Sequence, residues 1–170
     1  MNADELRAIQ APLKDRYRAE PDAALVTLKA HGALDSAAVA CKVETGRALA
    51  VAGLHPATGG TGAELCSGDM LLEALVACAG VTLKAVATSM GVALRSGEVT
   101  AEGDLDFRGT LGVDQQAPVG FKDIRLTFEL DTDAPQDKLD TLLKLTERYC
   151  VVLQTLSHSP KIEAKLARAA

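Results

Sequence analysis

The residues best suited to chemistry in this sequence are its four cysteines, Cys41, Cys66, Cys78 and Cys150. A thiol acts as a nucleophile only as its thiolate, and two thiols that meet in a fold can cycle between dithiol and disulfide. No two of the four form a CxxC pair, and His31, His55 and His158 are scattered. No zinc-ligand spacing is present, and a metal site would have to be assembled entirely by the fold. Residues 1–10 are polar and acidic where a signal peptide needs a basic start and an apolar run. The expected location is therefore the cytoplasm, where thiols stay reduced and a structural disulfide framework is not the default. Redox chemistry and simple burial as a small hydrophobe remain open for each cysteine.

The elements around two of them are clear. From Met70 to Met90 almost every residue is apolar or small, broken mainly by Glu73, Lys84 and the pair Thr88 and Ser89. Charges within the run argue against a membrane span, so the pattern predicts a buried helix over 69–90. Glu73 and Lys84 lie close to three turns apart and share a face, while Cys78 points well away from Glu73 into the packed side. Asp133 with Gln136 reads as a capping box opening a second helix, in which Leu139, Leu142, Leu143, Thr146, Tyr149, Cys150 and Leu153 recur at helical spacing. Cys150 belongs on its buried face or at its break.

Strands frame these helices. Residues 25–30 form a short apolar stretch; Val39, Cys41 and Val43 alternate with polar or small residues, and Thr45-Gly46 turns the chain into the run 48–52, which predicts a hairpin. The glycine-rich loop 55–62 precedes the long helix. After Gly91, Val99, Ala101, Gly103, Leu105 and Phe107 interleave with polar residues, as do Ile124, Leu126, Phe128 and Leu130, and the two runs should pair antiparallel. Residues 157–160 end the second helix, and Ile162, Ala164 and Leu166 suggest a last strand. At the N-terminus, residues 4–17 read as a short peripheral helix that breaks or kinks at Pro12. The order of elements predicts one α+β domain over 1–170, with 1–20 as a peripheral helical segment. A length of 170 residues suits a single core. With 18 basic and 23 acidic residues, a net charge of -5 offers no field for a nucleic-acid backbone. Neither nucleic acid nor a membrane is an expected partner.

The segment SGDMLLEALVACAGVTLKAVA, residues 67–87, resembles the central helix of the OsmC/Ohr family, in which a small-residue, Leu-rich helix carries a reactive cysteine; here that is Cys78. The segment ERYCVVLQTL, residues 147–156, resembles the family's second cysteine region and places Cys150 there. The resemblance implies a two-layer fold with a long central helix packed against antiparallel sheets, in an intertwined homodimer. It also implies a thiol-dependent peroxidase for organic hydroperoxides or hydrogen peroxide: Cys78 attacks the O–O bond, Cys150 resolves the sulfenic acid to a disulfide, and an external dithiol reduces it. No metal or organic cofactor is implied. The family's acid and arginine fall on Asp69 and Arg47, with Arg16 and Arg18 as alternatives. Val151 stands where many members have proline.

Residue by residue, a structural role competes with each of these. Asp69 in a first helical turn favours the helix dipole whatever the function. Cys41 reads as sheet core, Cys66 as a loop residue, and His55 and His158 as loop and helix-end residues. The alternative function is a non-enzymatic dimer of the same fold that binds an apolar or electrophilic small molecule. An arginine reaching Cys78 would favour the enzyme, and a pocket lacking both arginine and carboxylate would favour the binding dimer.

Overall fold

The structure is a computed structural model that describes residues 2–19, 31–34, 40–44, 49–112 and 114–168. In chain order its elements are α1 (Ala3–Ala19), β1 (His31–Leu34), β2 (Ala40–Glu44), β3 (Leu49–Gly53), a 3-10 turn (Pro56–Thr58), β4 (Leu65–Cys66), α2 (Ser67–Met90), β5 (Ser96–Leu105), α3 (Phe107–Thr110), β6 (Phe121–Asp131), α4 (Gln136–Tyr149) and α5 (Val151–Ser157).

Helix α2 is the floor of the fold. It is long and apolar enough to cross a membrane by length and composition, yet it packs against β5, α4 and α5. Gly91 closes it at φ 67°, a left-handed conformation that glycine adopts without a Cβ clash, and the Val92 N–H donates back to the Ala87 carbonyl at 2.9 Å. Two core clusters lie along it. One joins Leu83, Ala87 and Val92 to Leu142 of α4. The other joins Leu75 and Ala79 to Cys150, with Cys78, Leu153 and Leu156 packed against them. Each fully buried leucine among these contributes about 1.5–3 kcal/mol.

The β5 and β6 strands pair antiparallel from Ser96 opposite Asp131 to Leu105 opposite Phe121, and their inner faces carry the expected alternation. On the outer face Arg125 bridges Asp104 and Glu102. The second sheet has the order β1-β2-β3-β4, antiparallel except for the parallel β3–β4 pair. Glu44 opposite Leu49 confirms the expected hairpin. β1 had no counterpart in the sequence pattern, and the stretch 25–30 lies outside the described residues.

Several expectations need correction. α1 runs through Pro12 without a break. Proline forfeits one backbone hydrogen bond, and the flanking turns hold; a reciprocal cap starts the helix, with the Glu5 N–H donating to Asn2 Oδ1 and the Asn2 N–H to Glu5 Oε2, both at 2.9 Å. Asp133 caps nothing: the N-cap of α4 is Pro135, and Asp133 joins Asp131 in gripping the Arg95 guanidinium. Two carboxylates on one guanidinium outcompete a single amide. Phe107 does not extend β5 but opens α3, where Asp106 Oδ1 accepts the Arg108 N–H at 3.1 Å. Residues 162–166 form no strand, and Ile162 and Leu166 are 83% and 100% exposed. A strand needs a neighbouring edge to pair its amides, and neither sheet takes in this segment among the described residues.

Candidate functional site: a thiol pair at a helix break

Cys150 stands where α4 stops and α5 begins. Its backbone is extended, φ -74° and ψ 106°, although its N–H still donates to the Thr146 carbonyl at 2.9 Å and its own carbonyl accepts the Gln154 N–H at 2.9 Å. The residue therefore ends one helix and caps the next. Such a break frees the first amides of the second helix, which have no acceptor within it.

Those amides turn toward Cys78. The half-buried Cys78 and the fully buried Cys150 both belong to the cluster around Leu75 and Ala79, and both are free thiols. Burial raises the Cys78 pKa, but the Val152 amide, the Cys150 thiol, the Val151 amide and the Thr82 hydroxyl together outweigh it, and the net effect is a pKa below the ordinary thiol value. Cys150 moves the other way: burial raises it most, the neighbouring Cys78 adds to the rise, and the Leu153 and Val152 amides only partly oppose it. The two thiols thus shift in opposite directions, Cys78 down and Cys150 up. A low-pKa sulfur beside a protonated one is the arrangement that nucleophilic attack followed by resolution requires.

A cavity of about 270 Å³ between α2, β6 and α5 is lined by Leu75, Ile124, Leu126, Leu153 and Leu156 together with Lys122, Asp123 and Ser157, and neither thiol is in its lining. A larger opening of about 440 Å³, between β6 and α4, holds no thiol. Val81, three residues after Cys78, and Val151, next to Cys150, are 73% and 69% exposed.

The other sequence-named residues sit elsewhere. Asp69 is exposed in the first turn of α2; it precedes Cys78 by two and a half turns, which puts it on the opposite side of the helix and about 13 Å along the axis. Arg47 lies outside the described residues, as do the side chains of Arg16, Arg18 and Cys41. Cys66 is the N-cap of α2 without a capping side-chain bond, and it lines a separate cavity of about 380 Å³. His55 caps the 3-10 turn through Nδ1 and stacks on Phe107 with ring centroids 4.9 Å apart. His158 ends α5. Among the described residues no group of three or more histidine, cysteine or acidic side chains could hold a metal ion. The donors to Cys78 were not singled out from the sequence: backbone amides carry no residue signature, whereas Thr82, one turn beyond Cys78, was open to view.

The family model for OsmC-like proteins matches residues 60–165, which takes in both cysteines and the whole of α2. The chain belongs to the OsmC-like protein family. The fold of this OsmC-like chain is similar to that of an OsmC-like protein from Mycoplasma pneumoniae, at 14% identity and a TM-score of 0.64 over 79% of this chain and 89% of that one. It is also similar to an organic hydroperoxide resistance protein OsmC from Legionella pneumophila, at 18% identity and a TM-score of 0.61 over 79% and 92% of the two chains. The organic hydroperoxide resistance protein OhrB of Bacillus subtilis aligns at 21% identity with a TM-score of 0.52, over 80% of this chain and 94% of that one. Comparison with curated proteins finds no match. At such identities the likeness extends to the α+β fold with its long central helix, as expected from the sequence.

Proposed function

We propose that this OsmC-like protein is a thiol-dependent peroxidase that reduces organic hydroperoxides or hydrogen peroxide. The observation that carries the reading is the opposed polarisation of two adjacent thiols, Cys78 lowered and Cys150 raised in pKa. The Cys78 thiolate attacks the distal peroxide oxygen. The new S–O bond forms as the O–O bond breaks, and the alkoxide or hydroxide leaves and takes up a proton. Cys150 then loses its proton and attacks the Cys78 sulfur; the S–S bond forms, the S–O bond breaks, and water departs. An external dithiol restores both thiols by two exchange steps and leaves as its own disulfide.

The working form is proposed to be a homodimer in the cytoplasm. The exposed Val81 and Val151 and the unpaired outer edges of the two-stranded β5–β6 sheet among the described residues support the dimer. Peroxide consumption with a dithiol reductant tests the reading: the wild type should turn over and Cys78→Ser should not. Equal, negligible consumption by both would leave the binding dimer of the same fold.

A further inference from the structure

The residues after α5 are exposed from Ser157 to Arg168, and beyond His158 they belong to no helix or sheet. Their order is nevertheless that of a half-apolar strand, with Lys161, Glu163 and Lys165 alternating with Ile162, Ala164 and Leu166. Lys161 Nζ meets Glu163 Oε1 at 2.8 Å, so positions two apart share a side, as they do in a strand. The apolar side, Ile162 to Leu166, lies open to water. An exposed apolar row of this kind marks an interaction segment.

The β5–β6 sheet offers edges to such a segment, and among the described residues neither edge is paired. The two edges differ in charge. The outward positions of β5 are Ser96, Glu98, Thr100, Glu102 and Asp104, and those of β6 are Asp123, Arg125, Thr127, Glu129 and Asp131. The two tail lysines stand four residues apart, and of these positions only Glu98 and Glu102 set two acids at that spacing. Glu98 also stands directly opposite Glu129, an unfavourable pair of like charges. The ion pairs of this face, Arg125 with Glu102 and Asp104 and Arg95 with Asp131 and Asp133, leave both out.

Shape agrees with charge. If the tail runs antiparallel to β5 with Lys165 beside Glu98, Leu166 falls beside Gly97, Ala164 beside Val99 and Ile162 beside Ala101. Each pair sets a larger side chain against a smaller one. A cavity of about 270 Å³ lies between β5 and α2, lined by Leu83, Leu94, Val99 and Leu130 with Gly80 and Gly97, and by Lys84, Arg95 and Ser96. It is placed to receive Leu166.

We propose that residues 161–166 of one chain add to β5 of a second copy as an antiparallel third strand, with Lys165 beside Glu98 and Lys161 beside Glu102. This rests on the homodimer proposed above and names the segment that crosses it. The tail starts on the other side of its own sheet, since Ser157 lines the cavity beside Asp123, Ile124 and Leu126 of β6. A second copy meets the β5 edge without that crossing. Main-chain hydrogen bonds supply the attachment, and the two lysine–glutamate pairs fix the register.

The test takes an equal mixture of unlabelled and nitrogen-15-labelled full chains, refolded together and treated with a carbodiimide that joins lysines to touching carboxylates. Peptide mass spectrometry should find Lys165 linked to Glu98 and Lys161 to Glu102, with light–heavy hybrids in the proportion of random pairing. In wild type the amides of 161–166 should exchange slowly with deuterium. Lys165→Glu and Glu98→Lys, both at exposed positions, should each speed that exchange by about twofold to tenfold, and the two together should return it to within about twofold of wild type. Links confined to one label, links to acids of β6, or tail amides that exchange at the rate of an unstructured peptide would each overturn the proposal. Sedimentation of the same sample separates the readings: a monomer removes the dimer and the strand together, whereas a dimer with a freely exchanging tail loses the strand alone.

Discussion

The two core clusters along α2 are built from the same parts and do different things. In each, one side chain from the C-terminal helices drops between α2 and the inner face of β5 and β6. At one site it is Leu142, 1% exposed and supported by an unbroken α4; at the other it is Cys150, 0% exposed and sitting where the helix stops. The leucine site lies inside an unbroken helix, where each amide is bonded to the carbonyl one turn back. At the cysteine site the break releases the amides of Val151 and Val152, and they lower the pKa of a neighbouring sulfur that burial alone would raise. Interrupting one helix at a buried position converts a packing slot into a reactive one, through backbone donors and, among the described residues, with no charged side chain among the influences on the sulfur.

Substitutions at the two sites should separate these roles. Cys78→Ser should abolish peroxide consumption entirely while leaving thermal unfolding near that of wild type. Cys150→Ser should stop after one turnover, with the sulfenic acid at Cys78 trapped by dimedone or driven to sulfinic acid by excess peroxide. Leu142→Ala should do the reverse, costing about 2–5 kcal/mol of stability in denaturant titrations while the alkylation rate of Cys78 in the still-folded fraction stays unchanged. If Leu142→Ala slowed alkylation as strongly as the cysteine-site changes do, the two clusters would not be separable.

A finer comparison removes one donor and keeps the helix. Val151 is the first residue of α5, where proline is well tolerated, and Cys150 before it already has the extended backbone that proline requires. Val151→Pro should leave the circular dichroism spectrum unchanged and slow Cys78 alkylation at pH 7 by about threefold to tenfold, since it deletes one of the two α5 N–H groups that lower the Cys78 pKa and keeps that of Val152. The pH dependence has a fixed sign. Because the Cys78 pKa is lowered, its thiolate persists to lower pH than a free thiol would, and both alkylation and peroxide consumption should fall as pH drops through that lowered value. A rate that rises toward acid pH would mean that another group is reacting.

Much of this was legible in the sequence, for physical reasons that also mark where legibility ended. The helix of α2 and the paired faces of β5 and β6 follow from apolar periodicity, which records burial directly, whereas periodicity ran through Cys150 and left its place on a helix face or at a break undecided. The role of Asp133 did not follow, because it was decided by a competing hydrogen bond to Arg95, and the unbroken helix through Pro12 did not follow because one lost backbone bond did not stop the flanking turns. The strand expected at 162–166 shows the same limit, since alternation states which face is apolar and not which edge will pair with it. At the site, the two cysteines could be named from sequence, and what polarises them could not, because backbone amides look alike at every residue.

The central claim is that Cys78 and Cys150 form one redox unit that peroxide oxidises. Its most direct test is to treat the reduced chain with one equivalent of an alkyl hydroperoxide at neutral pH and map its cysteines by peptide mass spectrometry without reduction. The account predicts a single product, a peptide pair linked through Cys78 and Cys150, with Cys41 and Cys66 still free. Unoxidised Cys78 with the peroxide intact, or a disulfide drawn from Cys66 in place of Cys150, would contradict it.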